Sequence, residues 1–214
     1  NCLKCFQWAD EIIVFDKFST DNTEKIALKY NARVIKVPFS EASENTVSNY
    51  KNLKTKKWIL FITCSSMIHP GLAKKIVKLT SDSEFKFDVI GLPFKMYSLG
   101  FNSKYSPWYT EYKYSLMKNS VMKISDKLHE EIQYKSDKIY KIKVLNNDEA
   151  FYHFTNLNVD DFLQRTIRYT EYESKFSVKN NESYSQIFLK VMKSFLITLK
   201  KRTFVLGWNG VGLA

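Results

Sequence analysis

A chain of 214 residues is long enough for one substantial core, or one core with a small appendage. Hydrophobic residues make up 44% and aromatics 15%, against only six Gly and four Pro, so the chain can bury enough surface to offset its ordering entropy and is not a disordered tail. The formal charge of +11 predicts attraction to phosphates on nucleotides, nucleic acid or anionic lipid, but scattered lysines without an RNA-binding or zinc-finger signature argue against specific nucleic-acid binding.

Asn1 is followed almost at once by Cys2-Leu3-Lys4-Cys5-Phe6, and the chain is expected to begin after the protein's true start. Cys2, Cys5 and Cys64 form an odd set without framework spacing, which favours a reducing compartment and structural thiols. A zinc site wants four ligands, and His69, His129 and His153 each stand alone in the sequence. No signal peptide and no long uninterrupted apolar run is visible, so neither export nor a membrane span is expected.

Glu11 to Phe15 reads as a buried strand running into an acidic, hydroxyl-rich turn, Asp16 to Asp21. Ligands of α/β sheets sit beyond the carboxyl ends of strands, so Asp16 stands where a base or ribose is gripped. Asp21 with Glu24 makes a helix cap, and Ile26, Ala27 and Tyr30 give the helix an apolar stripe. Val34 to Val37 is the next strand, completing a βαβ unit whose crossover forces parallel pairing. A polar helical stretch from Glu41 to Leu53 leads to Trp58-Ile59-Leu60-Phe61-Ile62, apolar at every position as central strands are.

His69-Pro70-Gly71 marks a turn, and Leu72 to Leu79 carries helical spacing with Lys74, Lys75 and Lys78 outward. Val89 to Phe94, Tyr112 to Met117 and Ile139 to Leu145 are strand candidates, while Tyr97 to Trp108 has the composition of an active-site loop. Asn158-Val159-Asp160-Asp161 caps a helix whose Val159, Phe162, Leu163 and Ile167 share one face. Ile187, Phe188, Val191, Met192, Phe195, Leu196 and Leu199 define a last helix flanked by lysines, after a polar linker from Lys179 to Ser183. Such a helix either packs on the domain or lies in an anionic membrane interface.

Set in order, these pieces resemble a known family. Cys2-Leu3, Trp8 to Val14, Asp16 and Ser19-Thr20-Asp21 resemble the opening of family-two nucleotide-sugar glycosyltransferases, in the branch that builds lipopolysaccharide cores. Ala32-Arg33-Val34 resembles that branch's second strand, and Asn49 falls where the family has an asparagine ahead of the central strand. Leu128-His129-Glu130, Tyr152-His153-Phe154 and Gly207-Trp208-Asn209-Gly210 resemble later motifs of these enzymes, so the resemblance covers most of the chain.

The resemblance implies an α/β fold of GT-A type, with a mostly parallel sheet flanked by helices. It implies a nucleotide-sugar and acceptor region over 1–155 and a helical extension over 156–214. The implied reaction passes a sugar from a nucleotide diphosphate sugar to a lipid-linked or cell-surface glycan acceptor, with inversion. The implied place is the cytoplasm, peripheral at the inner face of the membrane. Asp16, Ser19, Cys64 and Ser65 would line the donor site, and Asp21 would cap its helix. Glu130 would deprotonate the acceptor hydroxyl, with His129 orienting it or meeting phosphate.

Two departures qualify the match. The strand and Asn-Glu turn that precede Cys2 in the family are not in this sequence. Where relatives place an Asp-x-Asp-type motif that holds Mg²⁺ or Mn²⁺ against the diphosphate, this chain reads Thr63-Cys64-Ser65-Ser66. A hard cation wants charged oxygen ligands, which that turn lacks. The alternative function is therefore a catalytically silent GT-A-like module that binds a glycan, a nucleotide or a partner enzyme.

Overall fold

A computed structural model of the chain describes residues 1–39, 57–106, 109–123, 133–179 and 183–200. It divides into two units, Asn1–Phe94 with Tyr112–His153, and Lys95–Glu111 with Phe154–Ala214. The expected helix from Glu41 to Leu53, Asn49, Trp108, His129, Glu130 and Gly207-Trp208-Asn209-Gly210 lie outside the described residues.

The first unit opens with a short helix α1 (Cys2–Cys5), strand β1 (Ile13–Asp16), helix α2 (Thr23–Lys29) and strand β2 (Arg33–Lys36). β1 and β2 pair in parallel, Ile13 opposite Arg33 through Asp16 opposite Lys36, as the βαβ pattern requires. Asn22 rather than Asp21 stands at the N-cap of α2 and makes no side-chain cap hydrogen bond, while the Asp21 carboxylate accepts from the Thr23 N–H at 2.9 Å. Of the predicted stripe, Ala27 is buried while Ile26 stays exposed.

Seven strands and a helix follow: β3 (Trp58–Leu60), β4 (Ser66–Ile68), α3 (Pro70–Ser81), β5 (Val89–Ser98), β6 (Tyr112–Lys118), β7 (Met122–Lys123), β8 (Gln133–Tyr134) and β9 (Ile139–Lys141). β10 (Phe151–Thr155) completes the set; it and β5 run from the first unit into the second. The main sheet has the order β3-β6-β5-β10-β4, with β9 added to β5. β5 and β9 pair in parallel, whereas β3–β6, β5–β6 and β10–β4 are antiparallel.

The α/β class stands, with helices flanking a multistranded sheet, but the sheet is mixed rather than mostly parallel. Parallel neighbours need a long crossover. The connection from β5 to β6 holds no helix among its described residues, so the chain turns back antiparallel. β3 also differs from expectation, standing at the end of this strand path among the described strands. Its three residues are half-buried, and Trp58 lies against Phe85 at 5.9 Å between ring centroids with the Lys118 ammonium over its ring.

His69 caps α3, its Nδ1 accepting from the Gly71 N–H at 3.1 Å, and Pro70 occupies the first turn where a missing N–H costs nothing. Leu72, Ala73 and Ile76 turn inward to a core with Ile68, Ile90, Leu92, Leu116, Ile142, Phe6 and Phe151. Outside that core face, Lys75 pairs with Glu149.

The β5–β6 register slips between Ile90 and Leu92, a bulge that sets Gly91 against the Tyr114 ring. A Cβ at Gly91 would meet Tyr114 Cε1 at 2.8 Å and Lys141 Cγ at 3.4 Å. Gly91→Ala is therefore expected to destabilise the protein by about 1–3 kcal/mol through overpacking, measured by urea denaturation. An unchanged midpoint would show that the Tyr114 ring moves aside without cost.

In the second unit, β5 ends in a tight turn in which Leu99 and Gly100 both take positive φ, 52° and 79°. Ser98 and Phe101 exchange backbone hydrogen bonds at 3.0 and 2.9 Å across it, the pattern of a two-residue hairpin. The strand thus extends into the segment expected to be a loop from Tyr97. Helices α4 (Val159–Lys179) and α5 (Tyr184–Lys200) complete the unit. The Asn158 side chain accepts from the Asp161 N–H at 2.8 Å, the cap read from sequence. Ser183 and Gln186 form a reciprocal capping box at the start of α5. The apolar stripe of α5, including Phe188, Val191, Phe195 and Leu196, is exposed. No described helix is long and apolar enough to cross a membrane.

Candidate functional site

Two groups of predicted site residues occupy turns of the first unit. The first lies at the carboxyl end of β1. Asp16 is 2% exposed, and each of its oxygens is engaged: Oδ1 accepts from the Ser19 N–H at 3.0 Å and Oδ2 from Lys36 Nζ at 2.5 Å. Lys36 also reaches Glu24 at 2.7 Å, tying β1, β2 and α2 together. The hydrogen bond from Lys36, then that from Ser19, holds the Asp16 pKa down to about 2. Asp16 is thus an ionised, neutralised anchor at the base of the turn, with Ser19 exposed above it.

The Asp16–Ser19 hydrogen bond spans Lys17 and Phe18, and Phe18 sits at φ 58°, a left-handed conformation that costs a residue with a Cβ on the order of 1 kcal/mol. Phe18 is also 63% exposed. An exposed aromatic ring on a strained backbone does nothing for the core, and this one stands in the same turn as Asp16 and Ser19. Periodicity gives no sign of it, because the strand pattern ends at Phe15.

The second group lies just after β3, at the turn expected to carry an Asp-x-Asp motif. The Ser66 N–H donates to the Thr63 carbonyl at 2.9 Å, closing a four-residue turn. Thr63 Oγ1 lies 3.0 Å from Ser65 Oγ and 3.3 Å from Ser66 Oγ. His153 joins them, its Nδ1 3.3 Å from Ser65 Oγ and 3.4 Å from Thr63 Oγ1.

Strand pairing brings His153 there. β10 runs antiparallel to β4 with Phe151 opposite Ile68, Tyr152 opposite Met67 and His153 opposite Ser66. Strand period two puts Phe151 and Ile68 in the core and carries His153 and Ser66 along the same face to the turn. The Phe94 ring stacks on both Phe151 and His153, at 6.0 and 6.5 Å between centroids, and fixes the imidazole. Tyr152 faces the other way, its hydroxyl donating to the Asp148 carbonyl at 2.5 Å.

The cysteines border this turn. Cys2 Sγ donates to the Thr63 carbonyl at 3.6 Å. Burial, then neighbouring Cys64 and Cys5, pushes its pKa up to about 11, so it remains a neutral thiol at neutral pH. Cys64 is exposed and all three cysteines are free thiols.

A divalent cation does not fit this donor set. Mg²⁺ and Mn²⁺ sites are built on carboxylates and other oxygens, whereas the turn offers three hydroxyls, an imidazole and thiols. Among the described residues no group of three or more His, Cys, Asp or Glu is placed to hold a metal ion. Hydroxyls and imidazole donate hydrogen bonds, and the same arrangement suits an oxyanion. Of the predicted residues, the structure joins Cys64 and Ser65 with Thr63 and His153, and Asp16 with Ser19; His129 and Glu130 lie outside the described residues.

No family model matches the chain. A protein of Rickettsia felis described as an uncharacterized glycosyltransferase is 23% identical over 217 aligned positions, spanning 94% of this chain and 74% of that protein.

Proposed function

We propose that the protein is a glycosyltransferase that moves a sugar from a nucleotide diphosphate sugar to a glycan acceptor. The observation that carries this reading is the likeness to the Rickettsia felis glycosyltransferase along nearly the whole chain. The geometry supports it: the chain is α/β, and residues of the expected donor site occupy turns after β1 and after β3. In finer detail the reading is a family-two GT-A enzyme of the lipopolysaccharide or capsule type, inverting, with a lipid-linked or cell-surface acceptor. Asp16 contacts the base or ribose at the wall of the nucleotide pocket, and Glu130 is the acceptor's base, with His129 orienting it or meeting phosphate. The exposed apolar stripe of α5 and its lysines suit a peripheral place on an anionic membrane at the cytoplasmic face.

The second reading, a silent GT-A-like binding module, is favoured by the absence of a carboxylate from Thr63-Cys64-Ser65-Ser66. Turnover separates the two. Incubating the full-length protein with a panel of nucleotide sugars and a lipid-extracted glycan acceptor should release nucleoside diphosphate from one donor. Binding of a donor without release from any of them would favour the silent module; neither binding nor release would remove the transferase reading and the nucleotide-binding form of the module.

A further inference from the structure

We infer that the turn Thr63-Cys64-Ser65-Ser66 and His153 hold the diphosphate of the donor directly, without a divalent cation, and that His153 is a donor-binding residue. The inference rests on the glycosyltransferase reading and deepens it at the same site. Three observations carry it.

First, the position after β3 that would present carboxylates to a cation presents hydroxyls, with Ser65 Oγ and Ser66 Oγ 3.0 and 3.3 Å from Thr63 Oγ1. Carboxylates there would repel a diphosphate unless a cation lay between them. Hydroxyls carry no charge and donate to phosphate oxygens.

Second, the imidazole of His153 completes the cluster at 3.3 and 3.4 Å, longer than the usual range for such hydrogen bonds. Such spacing leaves the hydroxyl rotors able to turn to an incoming oxyanion, and hydrogen bonds of that kind tighten on binding. An imidazole beside a diphosphate takes up a proton and supplies positive charge of the kind a cation would bring.

Third, the cluster is both built and open. His153 is fixed by its stack on Phe94 and by the β4–β10 register, so its position is set before any ligand arrives. Thr63 and Cys64 are exposed and Ser65 and His153 half-exposed, so a ligand reaches them from solvent, while the buried Ser66 supports the turn from beneath.

Calorimetric titration of the full chain with uridine, guanosine, cytidine and thymidine diphosphates tests this, in excess EDTA and again with Mn²⁺. One diphosphate is expected to bind in EDTA with an affinity that Mn²⁺ does not raise. Ser65→Ala and His153→Gln should each weaken it about tenfold, as loss of a hydrogen bond to a charged group does, while leaving binding of the parent nucleoside unchanged. Ser65→Ala removes one half-exposed hydroxyl and leaves the Phe94 stack intact, so it reports even if His153→Gln fails to fold. Thr63→Asp with Ser65→Asp should abolish binding in EDTA and restore it with Mn²⁺. Binding seen only with Mn²⁺, or unchanged affinity in Ser65→Ala and His153→Gln, overturns the inference and leaves the transferase reading standing. No binding of any diphosphate or nucleotide sugar under either condition overturns both.

Discussion

Replacing Asp16 with alanine is expected to cost about 2 kcal/mol of stability and to abolish sugar transfer. The side chain is buried, and it closes the turn after β1 through Ser19 while drawing Lys36 onto the β1–β2 pair. Lys36 retains Glu24 and is a third exposed, which keeps the cost below that of stranding a fully buried charge. Without the acceptor for the Ser19 N–H, the turn loses the hydrogen bond that spans Phe18 at its positive φ and relaxes.

The same carboxylate gives a pH signature. Its folded pKa of about 2 lies below the ordinary 3.8, so the unfolded chain binds the proton more readily. Its stabilisation is complete above roughly pH 4 and is lost as pH falls toward 2, on the order of 1–2 kcal/mol after allowance for solvent screening of Lys36. Asp16→Asn keeps an oxygen for the Ser19 N–H but lacks the charge, so its stability curve should be flatter across that window. Urea denaturation at a series of pH values checks this. Wild-type and Asp16→Asn curves of equal slope would show that the ion pair with Lys36 contributes nothing.

The second large effect is in the core. Leu72 is fully buried on the inner face of α3, and its truncation to alanine should cost about 3 kcal/mol, the lost transfer energy plus the cavity left behind. For a chain of this size that corresponds to a fall in Tm of roughly 6–12 °C. Leu72 packs in the same cluster as Ile68 and Phe151, the two residues whose pairing carries Ser66 and His153 to the site. Leu72→Ala should therefore weaken diphosphate binding near the melting transition more than at low temperature. A melting curve that overlays the wild type would contradict the placement of α3.

The β1-α2-β2 unit was legible because each element carries its own period and the crossover length leaves one pairing. α3 announced itself by Pro70 and by lysines spaced to one side of Leu72 and Ile76, and α5 by an unbroken three-and-four spacing. β4 and β10 were not legible as a pair. β4 has three residues, too few for a period, and its partner lies more than eighty positions away, so only the closed sheet shows that His153 faces Ser66. The sequence carries one faint trace of it: the apolar Phe151 and Ile68 each lie two residues from the polar member of the second pair. The mixed direction of the sheet was equally hidden, since the apolar residues that mark β5 and β6 as strands read the same for either direction. Asp16 was singled out by its place at a strand end, whereas its partner Lys36 is a tertiary fact that parallel register supplies.

The chain has only three histidines, His69, His129 and His153, so the ring nitrogens can be followed one by one. Histidine-selective ¹⁵N NMR of the full-length protein in EDTA, titrated with the nucleoside diphosphate that binds and assigned with His153→Gln, tests the central claim most directly. The account predicts that the His153 signal moves to that of a protonated ring and saturates with the ligand, while His69, held at the cap of α3, stays in place. A His153 signal that does not change at saturating diphosphate would contradict it.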